Sequence, residues 1–211
     1  TFFPEFVKFS REIFLTNDFI PLHAPQFSGR EKDFVLGALE STFVSSVGEY
    51  IQEFERGLAE YTGASFAVAT NNGTAALHTA LLLSEVQSGD EVITVPLTFV
   101  ATCNAIRYCG ADPVFVDVEW ETLGLCPEGL VGFLEEHAEV RDDGLCWNRS
   151  SGQIIRACVP VHNLGHPVRI DNIAAICAKY NIVLIEDAAE SLGSIQKNNR
   201  LLKESHFSKI M

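Results

Sequence analysis

From residue 66 onward, short apolar runs alternate with segments whose apolar residues recur every three or four positions. Continuous runs predict buried strands, and the wider spacing predicts helices. The predicted strands are 66–70, 91–95, 114–118, 154–161 and 181–185; the predicted helices are 74–86, 99–108, 130–137 with Pro127 in its first turn, and 170–180. This alternation predicts an α/β fold, a mostly parallel sheet with helices on both faces.

Two parts of the chain lack this pattern. Residues 1–20 carry six Phe among polar residues, and the spacing predicts helices at 31–39 and 48–61. We interpret residues 1–65 as an N-terminal arm and helices packed on the large domain, because no Gly-rich linker separates them from the sheet. Residues 140–152 are polar and rich in Gly, Asp and Ser, which favours a loop.

Composition narrows the class of protein. The chain has 211 residues, of which 47% are hydrophobic and 20% charged, which indicates a folded globular protein rather than a disordered one. The net charge of −13 argues against a nucleic-acid or anionic-membrane surface. The six cysteines form no Cys-x-x-Cys pair, and no apolar run has transmembrane length. We therefore expect a reducing compartment, by default the cytoplasm.

The richest candidate chemistry follows the last predicted strand. Asp187 and Glu190 come directly after the apolar run 181–185. In an open α/β sheet, the carboxyl ends of the strands form the edge where ligands bind. Two carboxylates at this spacing could bind a divalent metal, act as an acid/base pair, or cap and ion-pair locally. The residues alone leave these alternatives open.

Residues 70–77 lead from a predicted strand into a predicted helix. Gly73 permits close backbone approach, and the N–H groups of Thr74 and Ala75 would face an anion at the positive end of the helix. The alternative is a capped helix start, with Asn72 or Thr74 as the cap. Neither a P-loop nor a dinucleotide fingerprint is present in this segment.

Two further segments follow predicted strands at the same edge. Phe99 could cover a planar ligand, but the residue taken alone favours a place in the core. His162 and His166 have a four-residue spacing, yet Gly165 and Pro167 make this segment a loop rather than a metal-binding helix. His162 at the edge of a pocket is the more plausible interpretation.

Taken together, the chain resembles the DegT/DnrJ/EryC1/StrS family of pyridoxal-phosphate (PLP) dependent sugar aminotransferases. The resemblance covers about residues 11–210 in family order and is closest to members of legionaminic-acid-type pathways. The matching stretches are 20–25, 42–48, 72–77, 89–93, 97–102, 113–118, 165–167 and 186–190. It implies the large domain of PLP-dependent transferase fold type I, truncated at its C-terminal side.

The resemblance also implies roles for particular residues. Gly73, Thr74 and Ala75 would hold the phosphate of the cofactor, and Phe99 would stack on its pyridine ring. Asp187 would pair with the pyridine nitrogen, so that the ring acts as an electron sink, and Glu190 would lie near the 3-hydroxyl. An amino donor, usually glutamate, loads the cofactor, and a nucleotide-linked keto-sugar then takes the amine. Members of the family are usually homodimers.

One departure from the family pattern concerns the Schiff-base lysine. In relatives it follows the residue that matches Asp187 by about thirty positions, which places it beyond Met211. Lys197, Lys203 and Lys209 lack the family context and are interpreted as solvated surface, so we name no catalytic lysine. The small C-terminal domain is also expected to be absent.

We therefore expect an inactive fragment of an aminotransferase. Two alternatives stay open. Some relatives replace the lysine with His and dehydrate the sugar, and a non-catalytic product could bind the cofactor or associate with full-length subunits.

Overall fold

The structure is a computed structural model that describes residues 2–21, 24–45, 48–196, 199–200 and 209–210. The chain divides into two compact units, Thr1–Tyr50 and Ile51–Met211. This boundary does not test the expectation that residues 1–65 pack on the large domain, which stays a prediction.

The first unit contains more helix than the sequence predicts. Helix α1 spans Phe2–Phe14, within the segment interpreted as an arm, and helix α2 spans Glu31–Ser41. In α2, Thr42 adopts a left-handed conformation at the C-cap and its N–H donates to the carbonyl of Leu39, which ends the helix. Helix α3, Glu49–Thr62, begins in this unit and continues into the second.

The second unit carries the α/β alternation. Its helices and strands, in chain order, are α4 Gly73–Leu83, β1 Glu91–Thr94, α5 Val100–Tyr108, β2 Asp112–Phe115, α6 Pro127–His137, β3 Ala138–Val140, β4 Cys146–Asn148, β5 Ile155–Cys158, α7 Ile170–Lys179, β6 Val183–Glu186, β7 Ile195–Gln196, β8 Asn199–Arg200 and β9 Lys209–Ile210. Helices α4 to α7 lie where the apolar spacing predicts them.

The main sheet has the strand order β2-β1-β5-β6-β9, and every neighbouring pair is parallel. From β1 the chain first moves outward to β2 and then returns to β5 on the other side. The order therefore reverses at β1, and such a reversal opens a crevice at the carboxyl ends of the central strands. The predicted fold class, a mostly parallel sheet in an α/β protein, is confirmed.

The core has two parts, one on each face of the sheet. Adjacent residues in β1, Val92 and Ile93, are both fully buried but belong to different clusters, because successive strand residues point to opposite faces. The cluster around Val92 includes residues of α4 and α5, and the cluster around Ile93 includes residues of α6 and α7. Helices therefore cover both faces, as predicted.

The predicted strand at 66–70 is wrong for the described chain, since this segment forms no regular structure and pairs with none of the described strands. Phe66 and Val68 are 88% and 81% exposed, and the Ala69 N–H donates to the Glu55 side chain at 2.8 Å. A strand is defined by pairing, and no strand among the described residues lies beside this segment.

The predicted loop at 140–152 is also wrong, because β3 and β4 pair in antiparallel register. Residues 142–144 form the turn, with Gly144 at φ +77°, and the Trp147 indole N–H donates to Asp143 at 3.0 Å. An Asp-Gly pair is a signal for a hairpin turn, which the polar composition of the segment concealed.

Candidate active site

The candidate site lies where β1, β5 and β6 end. After β1 the chain leads through Leu97 and Thr98 to the start of α5, after β5 it leads to His162, and after β6 it leads to Asp187. These three segments meet at the switch point of the sheet, where an α/β fold places its ligand.

Asp187 is a buried acid with two defined donors. Its side chain accepts a hydrogen bond from the Thr102 hydroxyl at 2.8 Å and another from the Ala189 backbone N–H at 3.2 Å. The residue is only 6% exposed. A carboxylate has about four lone-pair positions, so these donors leave acceptor capacity for a further partner. A buried carboxylate in this setting is suited to a cationic group.

The backbone of Asp187 is fixed to the end of β5. Its N–H donates to the Pro160 carbonyl at 3.0 Å, and its carbonyl accepts from the His162 N–H at 3.1 Å. The two strand ends therefore continue their parallel pairing one step past the regular sheet, through a bridge between Val161 and Asp187.

Thr102 belongs to a pair of hydroxyls at the start of α5. The hydroxyls of Thr98 and Thr102 lie 2.8 Å apart, and Thr102 is almost completely buried. Phe99, between them in sequence, is the N-cap residue of α5 and is 77% exposed. The interpretation of Phe99 as a core residue is therefore wrong, and its ring is free to cover a ligand.

The start of α4 is capped by Asn72, whose side chain accepts from the Ala75 N–H at 2.8 Å. The Ala75 N–H thus already has a partner. The described residues supply no hydrogen-bond acceptor for the N–H groups of Gly73 and Thr74. A Cβ placed on Gly73 would meet nothing within 4 Å, so the protein leaves open space at this positive helix end.

The loop 162–168 connects several of these groups. The buried Asn163 side chain donates to the carbonyls of Leu97, at 2.9 Å, and Leu123, at 2.7 Å. The Leu164 N–H donates to the carboxylate of Glu190 at 2.7 Å. Glu190 is exposed, so it lies at the rim of the site, whereas Asp187 lies within it.

His162 occupies the buried side of this loop. The residue is 1% exposed, and its Nε2 lies 3.1 Å from Oε2 of Glu186, which is 3% exposed. The Val168 N–H donates to Nδ1 at 3.2 Å. The expectation that His162 lines a pocket edge is corrected here, because the side chain is enclosed by protein.

Metal binding by Asp187 and Glu190 gains no support. Among the described residues, the carboxylate and thiol groups with metal-like spacing are Glu119, Cys126 and Glu128. Arg169 forms ion pairs with both of these glutamates, so a cationic side chain already neutralises that cluster.

The sequence reasoning assigned no role to Thr102, Asn163 or Glu186. Thr98 and Thr102 are four residues apart at a helix start, which was the available signal for the hydroxyl pair. Nothing in the sequence indicated the partners of Asn163. Of the predicted surface lysines, Lys197 and Lys203 lie outside the described residues. Lys209 lies in β9, where it pairs with Ile185 of β6, and its predicted exposure stays a prediction.

The fold is that of the large domain of PLP-dependent aminotransferases of fold type I, which the solved structures similar to this chain share. The chain belongs to the DegT/DnrJ/EryC1/StrS aminotransferase family, whose sequence pattern it matches over residues 25–208. Members of this family are PLP-dependent sugar aminotransferases.

Two relatives and one solved structure illustrate the match. The chain is 36% identical over 181 residues to GDP-perosamine synthase of Caulobacter vibrioides. The matched region covers 86% of this chain and 44% of the relative. It is 38% identical over 181 residues to the putative pyridoxal phosphate-dependent aminotransferase EpsN of Bacillus subtilis, with the same coverage of 86% and 44%. An aminotransferase structure from Psychrobacter cryohalolentis matches with a TM-score of 0.72 and 33% identity, over 87% of this chain and 42% of that one.

The chain spans less than half the length of these relatives. In the described part of the chain, no helix is both long and apolar enough to cross a membrane.

Proposed function

We propose that the protein to which this chain belongs transfers an amino group to a nucleotide-linked keto-sugar, with PLP as cofactor and glutamate as amino donor. The observation that carries the proposal is the buried carboxylate of Asp187, held by Thr102 and Ala189 at the switch point of the sheet. Family membership supports the same reaction.

The residues present fit the cofactor at three points. Asp187 would accept a hydrogen bond from a protonated pyridine nitrogen and keep that proton in place. The exposed ring of Phe99 would stack on the pyridine ring, and the free N–H groups of Gly73 and Thr74 would bind the phosphate. When bound, the cofactor supplies an electron sink for the carbon that loses a proton.

Two of the proposed contacts involve groups that already have a hydrogen-bond partner within the chain. Ala75 would join the phosphate site only by sharing its N–H with Asn72. Glu190 would reach the 3-hydroxyl from the rim, while its carboxylate stays anchored by the Leu164 N–H.

For the substrate, we propose a keto-sugar attached to a nucleoside diphosphate. The name of one relative, GDP-perosamine synthase, supports a GDP-linked sugar. The closer likeness to legionaminic-acid-type members stays a prediction. For the whole protein we propose a homodimer, as the family resemblance implies, and light scattering of the whole protein tests it. We also propose that it acts in the cytoplasm, as the cysteine pattern leads us to expect.

We further propose that these 211 residues do not transaminate alone. Residues 51–196 contain one lysine, Lys179, and it lies at the C-terminal end of α7. Because α7 leads into the amino end of β6, Lys179 lies at the sheet edge opposite Asp187. After incubation with PLP and borohydride, peptide mapping should show no lysine labelled stoichiometrically; one fully labelled lysine would refute this.

Two measurements test the binding site and the reaction. Titration of the chain with pyridoxamine 5′-phosphate, which needs no lysine, should show binding that Asp187→Asn weakens by about tenfold or more, that is, about 1.4 kcal/mol. The matched control is Asp142→Asn in the exposed β3–β4 turn. The whole protein should convert glutamate to 2-oxoglutarate over repeated turnovers only when a nucleotide-linked keto-sugar is present. Equal binding by both variants, or no amino-sugar product, would contradict the proposal.

A further inference from the structure

The ring of His162 is hydrogen-bonded at both nitrogens, and this sets its tautomer. Nδ1 accepts from the Val168 N–H, so Nδ1 carries no proton. The proton therefore resides on Nε2, which donates to the Glu186 carboxylate at 3.1 Å. A ring held from both sides has one orientation.

His162 is hydrogen-bonded to two consecutive residues at the end of β6. Its side chain binds Glu186, and its backbone N–H donates to the carbonyl of Asp187 at 3.1 Å. Successive side chains of a strand point to opposite faces, so Glu186 points away from the face that Asp187 occupies. Fixing Glu186 on one face therefore fixes the direction of Asp187 on the other.

Neither His162 nor Glu186 can reach a ligand, since their residues are 1% and 3% exposed. Any influence on the reaction must pass through their neighbour Asp187. An apolar pair could fill the same volume without these hydrogen bonds, so packing of the core alone does not require a His and a Glu here.

We infer that His162 and Glu186 are a positioning pair that aims the Asp187 carboxylate at the ring nitrogen of the cofactor. The inference rests on the proposed function, because it gives the pair its purpose at the same site. His162 would thus contribute to recognition of the pyridine nitrogen without contacting that nitrogen.

The test compares two ligands of the 211-residue chain. One is pyridoxamine 5′-phosphate, and the other is the same molecule with the ring nitrogen replaced by C–H. The ratio of their dissociation constants measures recognition of the nitrogen alone, because the phosphate and the ring are shared. We expect a ratio of about ten or more, about 1.4 kcal/mol, in the wild-type chain and about one in Asp187→Asn.

His162→Leu should lower this ratio toward that of Asp187→Asn. His162→Gln should keep it within about threefold of wild type, since an amide can donate to Glu186 and accept from the Val168 N–H. A folded His162→Leu chain with the wild-type ratio overturns the inference and leaves the proposed function intact. An equal loss of affinity for both ligands also overturns it, because that result shows a purely structural role.

Failure of the proposed function has a different signature. If the wild-type chain binds neither ligand, or binds both equally, the site does not recognise the nitrogen, and both proposals fall. Circular dichroism establishes whether each variant is folded.

A second measurement needs no variant. ¹⁵N NMR of the wild-type chain should show His162 with the proton on Nε2, bonded to Glu186. A proton on Nδ1 would break the contact with Val168 and overturn the positioning geometry, whatever the stability of His162→Leu.

Discussion

The Thr102 hydroxyl donates a hydrogen bond of 2.8 Å to the carboxylate of Asp187, although 85 positions separate the two residues in sequence. The bond joins the first turn of α5 to the end of β6. It therefore ties the segment that carries Phe99 to the acid of the candidate site, and a change at Thr102 should affect both stability and binding.

Thr102→Val replaces the hydroxyl by a methyl group of similar size. We expect a loss of about 1–3 kcal/mol in the free energy of unfolding, because the buried Asp187 carboxylate loses one of its two donors. Urea unfolding measures the loss. Thr102→Ser keeps the hydroxyl and should lose less than half as much; equal losses in both variants would assign the effect to packing.

Asn72→Ala removes the cap of α4 and should cost about 1 kcal/mol in the free energy of unfolding. Asn72→Asp should restore the cap, yet its negative charge beside the helix end should weaken binding of pyridoxamine 5′-phosphate. Asn72→Ser is the control that restores the cap without charge. If the Asp and Ser variants bind the ligand equally well, the phosphate does not lie at this helix end.

The hydrogen bond from Arg169 lowers the pKa of Glu128 from 4.5 to about 2. Because the folded-state pKa lies below the unfolded one, the stabilisation is complete above about pH 4.5 and is lost as the pH falls toward 2. Glu128→Gln should therefore reduce the free energy of unfolding at neutral pH, with a difference that shrinks below about pH 4.5.

High salt should also shrink this difference, since Glu128 is exposed to solvent. Glu121→Gln, an exposed site with no ion pair among the described contacts, is the matched control. A Glu128→Gln effect that does not change with pH would contradict the ion-pair explanation.

Alkylation should separate the six cysteines into two groups. Burial raises the pKa of Cys146 to about 11, and a hydrogen bond with Cys177 together with burial raises the pKa of Cys158. The thiolate is the reactive form. A short iodoacetamide pulse followed by peptide mass spectrometry should label the half-buried Cys103, Cys109 and Cys126 before the buried Cys146, Cys158 and Cys177. In urea all six should react alike.

Gly124→Ala should destabilise the chain by about 1–3 kcal/mol, because its Cβ would overlap the Val168 side chain and lie 3.0 Å from the Val161 carbonyl. Gly132→Ala is the control in α6, where a Cβ meets nothing within 4 Å, and it should stabilise by about 0.5–1 kcal/mol. Thermal unfolding compares the two. Equal effects would show that the close packing at Gly124 is not required.

The sequence predicted the elements whose cause is local. Apolar runs and helical spacing located β1, β5, β6 and the helices α4 to α7, because each buries a continuous face that the residues themselves display. The segment 66–70 and the β3–β4 hairpin were predicted wrongly, because a strand exists through its partner and no local pattern supplies one.

The candidate site shows the same division. The sequence by itself determined which residues follow each strand, and so it predicted Asp187 and Phe99 at one edge of the sheet; the same prediction for the start of α4 rested on a strand at 66–70 that the structure does not form. Only the tertiary structure decided that Thr102 binds Asp187, that Phe99 is exposed and that His162 turns inward to Glu186. These outcomes depend on side chains from segments distant in sequence, which meet only when the parallel strands pair in register.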